Sequence, residues 1–235
     1  MRPKRRATIA NQLVIMAKSP VLGRVKQRLG REIGAVAALR FYRGALSHIA
    51  LRLARDSRWC TILAVAPDRD IKERFWPARM RIARLPQGEG GLGERMQRLF
   101  KRLPPGPVIV VGSDIPSLSP HHVWAAFKLL GRTDAVLGPA PDGGYWLIGL
   151  KRTPRVLTPF TAVRWSGPHA LADTLANLDG RRVALTATLS DVDTEADLNR
   201  ERAFAERLVQ QRQHAAPKAT PSPSRASSEF PGGAA

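Results

Sequence analysis

The sequence has a single cysteine, Cys60, among its 235 residues. One cysteine can form neither a disulfide within the chain nor a cysteine-based metal site, so both are excluded. Long apolar runs are also missing, because the stretch 13–17 that follows the basic start is too short for a signal-peptide core or a membrane span. We therefore expect a protein of the reducing cytoplasm, without a membrane span.

Acidic residues are scarce: 19 Asp and Glu stand against 38 Lys and Arg, which gives a formal net charge of +19. Such a surplus attracts nucleic acids, anionic membrane surfaces or nucleotide phosphates, and does not choose between them. Aromatic residues make up only 6% of the chain, and the basic residues are not interleaved with them. We predict no specific nucleic-acid module. A basic protein that binds nucleic acid or a membrane surface is retained as a third hypothesis.

Several catalytic motifs are missing as well. The sequence contains no G-x-x-x-x-G-K-[ST] loop, no G-x-S-x-G elbow and no H-E-x-x-H helix, which argues against P-loop, serine-hydrolase and zinc-protease chemistry. The segment GEGGLG (88–93) matches the dinucleotide fingerprint G-x-G-x-x-G. Its context argues against that function, because two predicted strands precede it and Pro86 and Gln87 intervene before the glycines.

What the sequence does contain is an alternation of strand and helix patterns. Strands are predicted at 12–17, 61–67, 81–86, 107–111, 135–140, 145–150 and 182–189. Helices are predicted at 25–55 with a break near Gly34, and at 94–103, 120–130, 167–180 and 195–213. This order is typical of an α/β fold, a single three-layer α/β/α domain with a mostly parallel central sheet. We assign residues 1–10 to a basic N-terminal extension, 11–210 to the domain and 211–235 to a disordered tail.

In such sheets ligands bind beyond the carboxyl ends of the strands. The loop after the first strand places Lys18, Arg24, Lys26 and Arg28 around Gly23, just before a helix. Cations and a helix N-terminus together favour phosphate. The alternative is a charged, solvated helix start.

Carboxylates follow two other strands. Asp114 ends the β-branched run 108–111, and Asp191 and Asp193 follow the last predicted strand. Carboxylates brought together near phosphates suit Mg²⁺ or Mn²⁺, so we predict Asp114 and Asp193 as metal ligands and give Asp191 a structural role. The alternative is that Asp193 or Thr194 caps the following helix.

The segment PDGG (141–144) precedes an aromatic-rich strand. Asp-Gly favours a tight hairpin turn. Alternatively, Gly143 and Gly144 let the backbone approach a ligand, with Asp142 and Tyr145 touching it. The residues alone favour neither interpretation.

Six segments occur in one order: MAKSPVLGRVKQRL, QGEGGLGERM, GSDIPSL, PDGGYWLIGL, VRWSG and DVDTEADL. As an ordered set they resemble a bacterial family of candidate glycosyltransferases, often labelled radical-SAM/selenodomain-associated transferases, of the GT-A or nucleotide-diphospho-sugar transferase fold. The chain is more distantly similar to 2-phospholactate guanylyltransferase and to the molybdenum-cofactor guanylyltransferases.

The resemblance implies a role for each matching position. The nucleotide phosphates would be held by Lys18, Gly23, Arg24 and Lys26. The base and ribose would be bordered by Gly91, Leu92, Gly93 and Arg95. The acceptor or donor sugar would be faced by Asp142, Gly143, Gly144, Tyr145 and Trp165. Asp114 would stand at the last acid of a D-x-D motif whose first acid is missing, with Asp193 completing the metal site and with Asp114 and Asp142 as the catalytic acids.

Two reactions fit these parts. The first is glycosyl transfer from a nucleotide-diphospho-sugar to a small-molecule acceptor. The second is nucleotidyl transfer from an NTP to a small phosphorylated acceptor. Both need a divalent cation and Lys or Arg side chains against developing phosphate charge. The family resemblance favours the first.

Overall fold

Seven strands form one sheet in the computed structural model, which describes residues 10–77 and 82–203. They are β1 Gln12–Lys18, β2 Cys60–Ala66, β3 Ala83–Pro86, β4 Val108–Val111, β5 Ala135–Pro139, β6 Tyr145–Leu150 and β7 Val183–Leu185. The strand order is β3-β2-β1-β4-β6-β5-β7. Within the described ranges, β6 alone runs antiparallel to its neighbours. The predicted mostly parallel sheet is confirmed.

Five helices have complete bounds: α1 Gln27–Ile33, α2 Ala35–Ala54, α3 Leu92–Arg102, α4 Pro120–Leu130 and α5 Ala170–Ala176. Residues 195–203 are also helical and are named α6. A short 3-10 helix covers Asp68–Lys72. The predicted break between α1 and α2 falls at Gly34, which has a φ of 87° that favours glycine. No helix in the described part of the chain is both long enough and apolar enough to cross a bilayer.

The central strands are buried on both faces. In β1, Val14 and Ile15 are fully buried in two different core clusters, since successive side chains of a strand point to opposite faces. One cluster includes Leu46 of α2, and the other includes Phe100 of α3. Helices therefore cover both faces of the sheet, which confirms the three-layer α/β/α arrangement.

The described residues up to Glu201 form one compact unit. Of the predicted segments, residues 1–9 of the basic extension, residues 204–213 of the closing helix and the tail 211–235 lie outside the described residues. Because the strands other than β6 run the same way, the segments that follow β1, β4 and β7 reach the same edge of the sheet. The β5–β6 turn reaches that edge too, since β6 begins there.

Candidate active site

Three carboxylates converge at this edge. Asp114 follows β4, whereas Asp191 and Asp193 follow β7, and one oxygen of each carboxylate lies within 4.8 Å of the other two. The residue between the last two, Val192, is fully buried. Its N–H donates a hydrogen bond to the Asp114 carbonyl at 3.2 Å, which ties the two segments together. The sequence predicted Asp114 and Asp193 here, but the structural role given to Asp191 overlooked its place in the cluster.

A lysine ammonium lies among these acids. Lys26 Nζ is 2.5 Å from Asp114 Oδ2, 2.6 Å from Asp193 Oδ1 and 3.8 Å from Asp191 Oδ2. Its side chain is only 5% exposed, although the residue belongs to the loop before α1. Lys26 also has a left-handed backbone, with a φ of 48°, which a non-glycine residue adopts at a cost of about 1–2 kcal/mol. Tertiary contacts therefore fix this position.

The electrostatics of the cluster leave it negative. Burial by itself would lower the pKa of Lys26, but attraction to Asp114 and Asp193 outweighs it and raises the pKa above its ordinary value. Burial, reinforced by the neighbouring carboxylates and partly opposed by Lys26, raises the pKa of Asp191 to about 6. One ammonium faces three carboxylates, so negative charge is left over. A hard, oxygen-only donor set with surplus negative charge fits Mg²⁺ or Mn²⁺.

Thr194, not Asp193, caps α6. The Thr194 hydroxyl accepts a hydrogen bond from the Asp197 N–H at 3.2 Å, and the Asp197 carboxylate accepts one from the Thr194 N–H at 2.8 Å. This reciprocal pattern satisfies the first turn of the helix. The Asp193 carboxylate is thus left to the cluster, and the alternative that it acts as the cap is wrong.

Sequence reasoning missed Tyr42, a buried residue of α2. Its hydroxyl accepts a hydrogen bond from the Lys18 N–H at 2.9 Å, lies 3.0 Å from the Lys18 carbonyl and 3.2 Å from the Ser113 hydroxyl. Burial raises the pKa of Tyr42 to about 12, so the hydroxyl keeps its proton. Tyr42 joins the end of β1 to the residue before Asp114. Its place in the apolar stripe of α2 gave no sign of this role.

The first loop and the glycine-rich loop enclose a basic pocket of about 610 Å³. Its lining includes Lys18, Arg24, Lys26, Leu92, Arg95, Asp114 and Asp193. A neighbouring hollow of about 590 Å³ shares Lys18, Arg24 and Arg95. Gly23 does not line either; it has a φ of 73° and makes the turn of the first loop. The predicted cations therefore gather around one cleft.

One backbone donor at the N-terminus of α3 is already occupied. The Glu94 carboxylate already accepts a hydrogen bond from the Gly91 N–H at 2.7 Å. At Gly90, where φ is 95°, a Cβ would overlap that carboxylate. An anion there would meet the Glu94 charge, which supports the prediction that 88–93 is no dinucleotide site.

Asp114 also lines a second, smaller cavity of about 260 Å³, here called the aromatic cavity. Its walls include Met16, Leu92, Met96, Asp142, Gly144, Tyr145, Trp146, Trp165 and Asp191. The Tyr145 and Trp165 rings meet edge to face, with centroids 6.2 Å apart. The predicted sugar-facing residues Asp142, Gly144, Tyr145 and Trp165 thus share one cavity.

The β5–β6 turn fits the hairpin interpretation, and its Asp142 and Gly144, but not Gly143, are placed as the ligand interpretation expects. The Gly144 N–H donates to Asp142 Oδ1 at 2.9 Å, which makes a tight turn, and Asp142 and Gly144 also line the cavity. Gly143 does not line it. At Gly143, with a φ of 82°, a Cβ would overlap the Pro168 carbonyl oxygen.

Gly93 is likewise a packing residue. A Cβ at this position would lie 2.9 Å from the Phe160 Cβ and 3.0 Å from the Trp165 ring. The absence of a side chain lets α3 approach the segment that carries Trp165. Neither the basic pocket nor the aromatic cavity has Gly93 in its lining.

Comparison with known proteins places the chain in a family. Residues 49–167 match the model of a family described as "Uncharacterized protein conserved in bacteria (DUF2064)". The chain belongs to this family. The DUF2064 match covers Asp114, the β5–β6 turn and Trp165, whereas Lys26, Asp191 and Asp193 lie outside the matched range. No curated protein matches the sequence significantly.

Solved structures resemble this DUF2064 protein over most of its length. A candidate nucleotide-diphospho-sugar transferase from Desulfovibrio desulfuricans G20 is 30% identical, with a TM-score of 0.75 over 80% of this chain and 84% of that one. A 4-diphosphocytidyl-2C-methyl-D-erythritol synthase from Anaerococcus prevotii DSM 20548 is 12% identical, with a TM-score of 0.57 over 84% and 99%. A CMP:2-keto-3-deoxy-manno-octonic acid synthetase in complex with CTP is 13% identical, with a TM-score of 0.53 over 85% and 99%. The last two likenesses concern the fold.

The segment that carries Trp165 is held by an ion pair in this DUF2064 chain. The Arg164 guanidinium donates to both carboxylate oxygens of Asp173, at 2.9 and 2.7 Å, and the Arg164 N–H donates to the same carboxylate at 2.9 Å. Ala162 and Ser166 on either side have positive φ values of 51° and 62°. The pair with α5 therefore fixes a strained backbone that forms one wall of the aromatic cavity.

Proposed function

We propose that this protein is a metal-dependent glycosyltransferase that uses a nucleotide-diphospho-sugar. The observation that carries the proposal is the position of Asp114, which lines both the basic pocket and the aromatic cavity. A donor molecule has a nucleotide at one end and a sugar at the other, with the diphosphate between them. An acidic cluster between a basic pocket and an aromatic cavity has the same order.

Each pocket supplies what one part of the donor needs. Lys18, Arg24 and Arg95 would hold the nucleotide and its phosphates, since guanidinium and ammonium groups pair with phosphate oxygens. Asp114, Asp191 and Asp193 would hold a divalent cation, which stabilises the charge that develops on the departing diphosphate. The aromatic cavity would take the sugar and the acceptor.

Asp142 is positioned to accept the acceptor proton. Its Oδ1 accepts the Gly144 N–H, and its Oδ2 has no hydrogen-bond partner among the described residues. In the proposed step the acceptor oxygen attacks the anomeric carbon, and the bond from that carbon to the diphosphate breaks with its electron pair on the diphosphate oxygen. The acceptor proton passes to Asp142.

The relative from Desulfovibrio desulfuricans G20, by its name a candidate nucleotide-diphospho-sugar transferase, supports this choice over nucleotidyl transfer. The two nucleotidyl-transferring neighbours, at 12% and 13% identity, share the fold only. Nucleotidyl transfer to a phosphorylated acceptor is therefore kept as the competing outcome of the experiment.

A thermal-shift panel with Mn²⁺ tests the proposal, using UDP, GDP, UDP-glucose, GDP-mannose, ATP, CTP and GTP. A ligand at 100 times its dissociation constant adds about 2.7 kcal/mol of stability. We expect a sugar nucleotide to stabilise the protein and the NTPs to do so less. Asp114→Asn should abolish the Mn²⁺-dependent part, and Asp179→Asn, on an exposed turn, should keep it.

Two results would overturn the proposal. Stabilisation by NTPs but not by sugar nucleotides would support nucleotidyl transfer. Salt-dependent binding to DNA or anionic vesicles that Asp114→Asn leaves unchanged, with no response to nucleotides, would support the third hypothesis.

A further inference from the structure

The aromatic cavity carries charge of one sign only. Its lining includes the carboxylates of Asp114, Asp142 and Asp191, and no Lys, Arg or His side chain of the described residues lines it. Lys26 does not line the cavity, but its ammonium pairs with Asp114 and lies 3.8 Å from Asp191, so it offsets part of this charge. The Arg164 guanidinium pairs with Asp173 instead, and no cation of the described residues pairs with Asp142. An anionic group in the cavity would therefore meet three carboxylates whose charge one ammonium neutralises only in part.

The remaining walls are mostly apolar, with the Ser166 hydroxyl as an exception. The Trp146 indole N–H donates to the Ala187 carbonyl at 2.8 Å, and the Tyr145 hydroxyl accepts from Thr174 Oγ1 at 3.3 Å. Both aromatic residues therefore use their polar groups in the protein interior. Met16, Met96 and Ile148 complete the apolar wall.

The volume of the aromatic cavity also limits the size of a molecule that can bind there. The cavity volume of about 260 Å³ lies below the roughly 300–1,000 Å³ that accommodate drug-sized ligands. Polar groups of the occupant can meet carboxylate oxygens, which accept hydrogen bonds, at the acidic side of the cavity. The other side offers ring faces and thioethers.

We infer that the aromatic cavity binds a small uncharged molecule with an apolar or ring face and a hydroxyl group directed at Asp142, and that it rejects phosphorylated molecules. The inference rests on the proposed function only where it identifies this molecule as the acceptor. It gives the acceptor a chemical class: an alcohol or an unphosphorylated sugar.

Matched pairs of probes test the inference: cyclohexanol, glucose and glycerol, each against its phosphate monoester. Ligand-observed NMR gives the dissociation constants in EDTA, so that no metal ion neutralises Asp114 and Asp191, with UDP at saturation so that phosphate cannot enter the basic pocket. We expect at least one uncharged probe to bind about tenfold more tightly than its phosphate. Trp165→Ala should weaken that binding by about tenfold, and Trp124→Ala on α4, outside the cavity, should not change it.

A second variant, Asp142→Asn, tests the inference without the risk that the loss of the Trp165 side chain disturbs the fold. Asp142→Asn removes one of the three negative charges, so it should reduce the preference for the uncharged probe. Equal or tighter binding of a phosphate monoester that is lost in Trp165→Ala would overturn the inference. Failure of every uncharged probe to bind would overturn it as well. Failure of Mg²⁺ and UDP to bind would instead count against the proposed function.

Discussion

Lys26 Nζ lies 2.5 Å from Asp114 Oδ2, so the loop after β1 and the end of β4 meet in an ion pair. The same ammonium bonds Asp193 at 2.6 Å. Lys26 thus occupies the position between the acids and the basic pocket, where it can neutralise carboxylates or, when a cation does so, pair with phosphate.

Lys26→Met should test whether Lys26 both neutralises the carboxylates and pairs with phosphate. Without the ammonium, the three carboxylates repel one another, and we expect the free energy of unfolding to fall by about 1–3 kcal/mol. Mn²⁺ should bind more tightly, because its competitor is gone, and diphosphate should bind more weakly. Isothermal titration with Mn²⁺ and with diphosphate measures both. Lys101→Met on the exposed face of α3 is the control, and unchanged Mn²⁺ affinity in Lys26→Met would contradict the prediction.

Asp191→Asn should raise the stability of the metal-free protein and lower its affinity for Mn²⁺. The raised pKa of Asp191 shows that its charge is disfavoured in the metal-free protein. At pH 7.5 the neutral amide should therefore stabilise that protein, by up to about 1 kcal/mol once solvent screening is included. Mn²⁺ affinity should fall by about tenfold, because a carboxylate ligand is lost. Urea unfolding and Mn²⁺ titration check the two effects, and a fall in both stability and affinity would show that Asp191 is structural.

Tyr42→Phe removes a hydroxyl that contacts the Lys18 backbone and Ser113. The partly buried Lys18 N–H and the buried Ser113 hydroxyl are then left without this partner, and we expect a loss of about 1–3 kcal/mol in unfolding free energy. Nucleotide binding should weaken too, because the hydroxyl positions the end of β1. Tyr145→Phe, whose hydroxyl makes a longer contact with Thr174, should cost less in the same urea titration. The reverse order would contradict the role assigned to Tyr42.

Gly143→Ala should disrupt the β5–β6 turn. The positive φ and the approach of the Pro168 carbonyl leave no room for a Cβ, and the expected cost is about 2–3 kcal/mol. At Gly44, within α2, a Cβ would meet no atom within 4 Å. Gly44→Ala should therefore stabilise the protein by about 0.5–1 kcal/mol, through helix propensity alone. Thermal unfolding of both variants distinguishes these opposite effects.

The Arg164–Asp173 pair predicts a pH dependence. Hydrogen bonds from Arg164 lower the pKa of Asp173 to about 2. A carboxyl whose pKa is lower in the folded than in the unfolded state stabilises the fold above its unfolded pKa, and this contribution disappears as the pH falls from about 4 to about 2. The stability difference between the wild type and Asp173→Asn should shrink over that range. In an NMR titration, Arg164→Met should raise the pKa of Asp173 towards its ordinary value, while the bond from the backbone N–H of residue 164 keeps part of the shift; an unchanged pKa would show that the side-chain pair is not formed.

Local patterns determined most of the fold. The β-branched run of β4 is apolar on every residue, so it could only be a strand buried on both faces. The ends of α4 follow from Ser119, Pro120 and Gly131, because capping and the missing proline N–H act within one turn. The position of Asp114 at the end of β4 followed from the same kind of local pattern.

Only the tertiary structure added Asp191 and Tyr42 to the site. Asp191 and Asp193 join the cluster together because the residue between them, Val192, is buried and bonded to the Asp114 carbonyl, and no local pattern encodes that contact. The surplus of negative charge in the aromatic cavity likewise depends on tertiary contacts, because Lys26 pairs with Asp114 and Asp193 and Arg164 with Asp173, and neither cation pairs with Asp142. The sequence by itself determined which elements form and which edge of the sheet carries the acids, because hydrophobic periodicity and capping are short-range. The pairing of Lys26 with Asp114 and Asp193, and the bond from the Trp146 indole to the Ala187 carbonyl, join distant parts of the chain, so only packing could set them.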